Sequence, residues 1–271
     1  MKTPAEKPCI TFFSFTSCEG CQLVVLNCAG SFPELLKHLK IVNFREAMDP
    51  TSKDYDIAFI EGSVSTKTEL EKIKQIRSNA DIVIALGACS AIGGINCIKD
   101  VEKPISLKEA RATVYGKGAQ THRLLKDTVD ARPIETVIKV DHYLHGCPVN
   151  TEELLTTLKD VMIGRRPKVP NHPVCTDCKI AGNICVFERD KSKRGTSTDP
   201  PVVGCNGPIT RGGCKAICVT YGETCWGCRG YVDDPNITAH TETLIKHGLS
   251  PARAMASLAL YGSYGNENKK Q

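Results

Sequence analysis

Apolar residues along the first 165 positions follow two rhythms. Short continuous runs recur at C-I-T-F-F-S-F (9–15), I-V-N-F (41–44), D-I-A-F-I-E-G (56–62), D-I-V-I-A-L-G (81–87) and T-V-I-K-V (136–140), each the length of a buried strand. Between them the spacing turns helical. Q-L-V-V-L-N-C-A follows Cys21, and in T-K-T-E-L-E-K-I-K-Q-I-R (66–77) Leu70, Ile73 and Ile76 share one face. A last helical stretch, T-E-E-L-L-T-T-L-K-D-V-M, occupies 151–162. Strand and helix in alternation predict a parallel sheet covered on both faces, here a flavodoxin-like doubly wound α/β domain over residues 1–165.

The pattern then breaks. G-R-R-P-K-V-P-N-H-P places three prolines in ten residues, which stops the helix and marks a boundary. Residues 166–271 read as a smaller, irregular, cysteine-rich domain. Helical stretches return only at T-A-H-T-E-T-L-I-K-H-G and P-A-R-A-M-A-S-L-A-L-Y, whose apolar faces are expected to cover that domain or a partner. Lys191 to Pro201 reads as an exposed polar loop and G-N-E-N-K-K-Q as a disordered tail.

Composition changes the picture through cysteine. The chain has 15, and eight lie between Cys175 and Cys228. Disulfides would explain such density in a secreted domain, but the total is odd and no stretch at the start reads as a cleavable signal, so reduced thiols are expected. No run reaches membrane-spanning length, so the chain is expected to be cytosolic and not inserted in a membrane. The net charge of +5 is spread along the sequence and aromatics make up 6%, which leaves neither a nucleic-acid stripe nor stacking platforms. Many thiols without a basic footprint indicate metal or redox chemistry.

Open parallel sheets bind ligands beyond the C-terminal ends of their strands. Cys18 and Cys21 follow the first run, Cys89 follows the run ending at Gly87, and Cys147 follows the run ending near Val140. Three separate loops are thus expected to bring four cysteines to one edge, as a metal-binding set. In the second domain the paired Cys-x-x-Cys units suit an iron-sulfur cluster or structural zinc equally, since both accept four thiolates. The strand-end set favours iron, because it is not a zinc-ribbon arrangement.

Ser17-Cys18-Glu19-Gly20-Cys21, Gly87-Ala88-Cys89 followed by Gly93-Gly94, and Gly146-Cys147-Pro148, with G-C-N-G-P and C-W-G-C downstream, resemble the small, electron-transferring subunit of NiFe hydrogenases. The resemblance extends over nearly the whole chain. It implies a proximal 4Fe-4S cluster on Cys18, Cys21, Cys89 and Cys147. It also implies a medial 4Fe-4S cluster on Cys214, Cys218, Cys225 and Cys228. Many members of the family have proline at the position of Cys218 and hold a three-iron cluster there.

The remaining Cys175, Cys178, Cys185 and Cys205 would hold a distal 4Fe-4S cluster. His172 is a rival ligand, and the division of Cys185, Cys205 and Cys214 between the two sets stays open. Glu61 matches a Glu-Gly pair that the family has near the proximal cluster; a solvated or helix-capping carboxylate is the alternative. Cys9, Cys28 and Cys97 are left as free thiols.

The all-cysteine distal set and Cys218 are similar to the cytoplasmic group 3-type members, sulfhydrogenase and deazaflavin-nonreducing small subunits in particular. The resemblance implies a NiFe-bearing large subunit as partner, further flavin or iron-sulfur acceptor subunits, and hydrogenase activity centred on that partner. No residue of this chain then needs to act as acid, base or nucleophile, so none is named as catalytic. Two other readings remain. An electron-relay subunit of a complex I-like quinone reductase would share the first domain but is expected to show adjacent paired cysteines. A nonredox zinc-binding interaction module would need no strand-end cysteines.

Overall fold

The computed structural model describes residues 7–28, 30, 32–98, 105–123, 125–189 and 204–268. Two compact units are formed, Met1–Cys97 with Ile105–Val169, and Ile98–Pro104 with Pro170–Gln271.

In the first unit the chain runs β1 (Cys9–Ser14), α1 (Gly20–Asn27), α2 (Phe32–Leu35), β2 (Lys40–Phe44), β3 (Ile57–Glu61), β4 (Val64–Thr66), α3 (Lys67–Asn79), β5 (Ile82–Leu86), α4 (Gly87–Ile92), α5 (Leu107–Tyr115), β6 (Thr128–Arg132), β7 (His142–Leu144) and α6 (Thr151–Met162). Five strands pair in the order β2-β1-β3-β5-β7, every pair parallel. This is the strand order of a flavodoxin-like sheet. β4 and β6 form a separate antiparallel pair.

The apolar runs are continuous because both faces are buried. Ile10, Phe12, Phe59, Ile84 and Leu86 point to the face packed by Val25 of α1 and Leu154, Leu158 and Val161 of α6. Ala58, Ile60, Val83 and Ala85 point to the face packed by Ile73 and Ile76 of α3, with Leu70 at its edge. α3 starts at Thr66, whose hydroxyl accepts from Glu69 N while the Glu69 carboxylate accepts from Thr66 N, a complete capping box.

The fifth strand lies later than the sequence pattern predicts. T-V-I-K-V is not a strand; Ile134–Thr136 is a 3-10 turn and the strand is His142–Leu144. Local bonds explain the shift. After Pro133, Thr136 Oγ1 and N both donate to Pro133 O, and Val137 N and Ile138 N donate to Ile134 O, so these groups never join the ladder. Ile134 and Ile138 still bury their side chains under the sheet, which is why the segment imitates a strand.

The second unit contains α7 (Val174–Ile180), α8 (Ile217–Thr220), α9 (Ile237–Lys246) and α10 (Pro251–Asn268), joined by turns and isolated bridges. Its two apolar clusters are small. One is Val174, Val186, Ala216 and Val219 with Cys205 and Cys225; the other is Ile209 with Leu244, Ala254 and Leu258 of the C-terminal helices and Leu249 from the turn between them. Buried polar groups tie the turns together. Asp177 Oδ2 accepts from Gly213 N and Lys215 N, and Arg229 Nε, buried at 1% exposure, donates to Gly212 O. Of the expected tail, Gly265 to Asn268 are helical, and residues 269–271 fall outside the described residues, as does Lys191 to Pro201.

Asp141 fixes the β5–β7 edge. Its backbone N–H donates to Val83 O, and its carboxylate accepts from Val83 N and Arg77. Burial alone would raise its pKa, but the Val83 N–H and the Arg77 guanidinium outweigh that and hold it below the usual carboxylate range. A depressed folded pKa gives stability that is present above the unfolded value of about 3.9 and lost as pH falls through the folded value. Asp141→Asn should therefore lower stability at pH 7 by about 1–3 kcal/mol in denaturant titration, and the difference from the parent should shrink below about pH 4.

Candidate metal centres

The sheet brings the first four cysteines to one end. Cys18 and Cys21 follow β1, Cys89 follows β5, and Cys147 follows β7 within the Gly146–Val149 turn. They are not all on loops: Cys21 is in the first turn of α1 and Cys89 in α4. The thiols sense one another. Burial first, then the charges of Glu61, Cys147 and Cys89, push the Cys21 thiol far above the usual range, against the Val149 N–H. Burial, then Cys147, Cys18, Glu61 and Cys97, push Cys89 up to about 12.

Glu61 is 2% exposed and is not a solvated carboxylate. It ends β3 and accepts from Cys21 N at 3.0 Å and Gln22 N at 3.1 Å, capping the first turn of α1 beside Cys21. Burial raises its pKa, the bonds from Cys21 and Gln22 oppose this, and the Glu19 charge adds to the rise. Gly87 has φ +85°, and a Cβ there would lie 2.4 Å from the Cys21 sulfur. Backbone passes this close to sulfur only without a side chain.

In the second unit, Cys175, Cys178, Cys185 and Cys205 line a cavity of about 170 Å³, closed by Val174, Val186, Phe187, Gly207, Val219 and Cys225. Water takes up about 30 Å³ in the liquid, so the space suits a group of several atoms more than one ion. Burial, then Cys205, Cys178 and Cys185, push Cys175 up to about 11. At Gly207 a Cβ would stand 3.3 Å from the Cys175 sulfur and 3.5 Å from that of Cys205. His172 does not line the cavity; its Nε2 lies 2.7 Å from Asp177 Oδ1.

Burial, then Cys214 among the charges, raises Cys218. Burial and then Cys205 raise Cys225, with the Gly227 N–H and the Thr210 hydroxyl opposing and Cys228 adding. Cys205 thus neighbours both groups. Among the described residues no three His, Cys, Asp or Glu side chains form a single-ion site. The donor sets are all thiol, and Cys175, Cys178, Cys185 and Cys205 are arranged around a volume, which fits an iron-sulfur cluster.

The spare thiols are placed differently from one another. Cys28 and Cys97 are buried, with their sulfurs 3.2 Å from Val24 O and 3.1 Å from Ala131 O, and Cys9 is half-buried. The proximity of Cys97 to Cys89 has no counterpart in the spacing. Neither do Asn206 and Thr210, which stand between the two cysteine groups of the second unit; their only sequence signal is their place in G-C-N-G-P-I-T.

The sequence profile of the family described as NADH ubiquinone oxidoreductase, 20 Kd subunit, matches residues 18–161. Sulfhydrogenase 2 subunit delta of Pyrococcus furiosus is 33% identical over 86% of this chain and 90% of its own length. A subunit of the vhu F420-non-reducing hydrogenase of Methanococcus voltae is 26% identical over 85% of this chain and 84% of its own. A solved NAD+-reducing [NiFe]-hydrogenase chain is 25% identical with a TM-score of 0.51, covering 61% of this chain and 96% of the other. The [NiFeSe] hydrogenase of Desulfovibrio vulgaris Hildenborough, at 19% identity and a TM-score of 0.51 over 86% of this chain and 96% of the other, has the same fold. Because the hydrogenase relatives match well beyond the shared N-terminal domain, the chain belongs to the family of hydrogenase small subunits.

Proposed function

We propose that this chain is the electron-relay subunit of a cytoplasmic NiFe hydrogenase, passing electrons through three 4Fe-4S clusters between a nickel-iron large subunit and a further flavin or iron-sulfur subunit. The observation that carries this is the convergence of cysteines distant in sequence: parallel strands bring Cys18, Cys21, Cys89 and Cys147 to one end of the sheet, with Cys147 and Cys89 close enough to act on Cys21 and Cys147 and Cys18 on Cys89, while Cys175, Cys178, Cys185 and Cys205 surround one cavity. In this reading residues 1–165 hold the proximal cluster and residues 166–271 the other two. The ligands are Cys18, Cys21, Cys89 and Cys147; Cys175, Cys178, Cys185 and Cys205; and Cys214, Cys218, Cys225 and Cys228.

When bound, the clusters supply one-electron chemistry. The chain supplies the rest. Glu61 holds the start of α1, and with it Cys21, against the end of β3. Gly87 and Gly207 let backbone approach sulfur, and Asp177 fastens α7, which bears Cys175 and Cys178, to the 213–215 turn. A deazaflavin, nicotinamide, sulfur or ferredoxin acceptor would be served by the same arrangement. No described helix is long and apolar enough to cross a membrane.

Three measurements test this. Anoxically purified protein should contain about twelve irons and as much acid-labile sulfide per chain; about two zincs without sulfide would replace the relay with a structural metal protein. Cys218→Pro should convert one cluster to a three-iron form with a new EPR signal on oxidation, and an unchanged spectrum would remove Cys218 from the ligand set. Removal of iron should expose residues 170–230 to limited proteolysis while the sheet of the first unit survives, because ligation is coupled to folding where the apolar core is small; protection of that segment in the apo-protein would contradict it.

A further inference from the structure

Between β2 and β3 the chain must cross β1, since the strands lie in the order β2-β1-β3. A crossover between parallel strands is usually a helix, but residues 45–56 contain none. Loop alone occupies the space such a helix would fill, and a cavity of about 410 Å³ lies there, between β1, α3 and the connection itself. Small-molecule sites occupy about 300–1,000 Å³. None of the residues lining this one is a cysteine.

The charge of the cavity is one-sided. Arg45, Lys53 and Lys72 line it and no carboxylate does, although Glu46, Asp49 and Asp54 belong to the same connection. Among the described residues none of these three cations is in an ion pair, whereas Lys74 and Arg77, on the same helix as Lys72, are held by Glu71 and Asp141. Lys72 Nζ stands instead over the rings of Phe13 and Phe15, 5.8 and 5.3 Å from their centroids. Cations gathered around a concave, partly apolar space focus a positive potential in it.

The uncharged lining adds donors and rings. Gln75 and Asn79 share a face of α3 with Lys72 and turn their amides to the cavity. On the floor Thr11 is 0% exposed, and Asn43 Nδ2 donates to its Oγ1 at 3.0 Å, so two polar residues interrupt a sheet face that is otherwise apolar. Beside them Phe13 and Tyr55 meet edge to face, their centroids 5.5 Å apart. The cations and amides match phosphate oxygens, with the guanidinium able to bind two at once. The volume exceeds what a lone phosphate would fill, and the aromatic floor suits a ring.

We propose that this cavity binds a small phosphate ester that carries a ring, a mononucleotide in size, with Arg45, Lys53 and Lys72 around the phosphate and the ring against Phe13 and Tyr55. The site uses no cysteine, so it stands or falls independently of the relay.

The test is equilibrium dialysis of AMP against the full-length, anoxically purified chain, with adenosine and inorganic phosphate in parallel. AMP should bind saturably and be displaced by excess phosphate, and adenosine should not bind. Bound AMP should protect Lys53 and Lys72 from amine acylation, read by mass spectrometry, and leave Lys74 reactive. Lys53→Gln and Lys72→Gln should each weaken AMP binding about tenfold, as loss of one charge-assisted hydrogen bond does. Absence of saturable AMP binding, equal binding of adenosine, AMP binding that leaves both lysines reactive, or parental affinity in both variants would overturn the proposal. Both side chains are exposed, and thermal unfolding checks that the variants keep the fold; if Lys72→Gln, which also leaves two rings uncovered, does not, Lys53→Gln decides by the same criteria.

Discussion

Thiols crowded into buried space are the constraint on which the rest of this structure depends. At the strand-end group the charged neighbours that act on Cys21 and Cys89 are Glu61 and other cysteines, all negative when ionised. Desolvation and like-charge repulsion act in the same direction, so Cys21 and Cys89 as free thiols keep their protons. Four thiolates there would need a positive centre, and the charged groups that act on Cys21 and Cys89 are not one. A metal core inverts the balance, and the same crowding that penalises free thiolates then holds ligands close to it. The glycines follow from this, since sulfur packed against backbone leaves no room for a Cβ at Gly87.

The two units meet the constraint with unequal resources. The first has a parallel sheet buried on both faces, with a core of many large aliphatic and aromatic side chains in which Cys21 and Cys28 are minor members. In the second, sulfur is part of the core: Cys205 and Cys225 are buried among four small aliphatic side chains, with Cys178 and Cys214 packed against them. So little apolar area cannot offset the ordering of a long irregular chain. Asp177, Arg229 and Asn206 specify which turns meet, but each bond is worth only about 1 kcal/mol net. Metal ligation is the interaction large enough to hold such a unit together.

Much of this is legible in sequence because the signals are local. Strand runs with both faces buried, the helical spacing of Leu70, Ile73 and Ile76, and the proline cluster after α6 depend on few neighbours. The fifth strand escapes the pattern because Ile134 and Ile138 bury their side chains as a strand would, while Pro133 turns the backbone bonds inward. Sequence order puts Cys21 and Cys89 at the correct strand ends but not in helices, as short helices of six to eight residues barely register as periodic. His172 is ambiguous from spacing alone, and only its partner, Asp177, assigns it to packing. Thr210 and Asn206 leave no signal beyond their place in G-C-N-G-P-I-T, because their contacts are with residues far along the chain.

The polar neighbours of the sulfurs differ between the groups, and the difference has a direction. Glu61, while ionised, stands near Cys21 and Cys89, and a negative charge beside a cluster opposes the arrival of an electron. Around Cys225 the polar neighbours include uncharged groups, the Gly227 backbone and the Thr210 hydroxyl, which donates to Asn206 O. In the proposed relay a carboxylate beside one centre and uncharged neighbours beside the other would separate their potentials with the same ligand chemistry at both. Four cysteines at each centre would otherwise leave little to distinguish them. In that relay the chain would differentiate its centres through neighbours of the ligands.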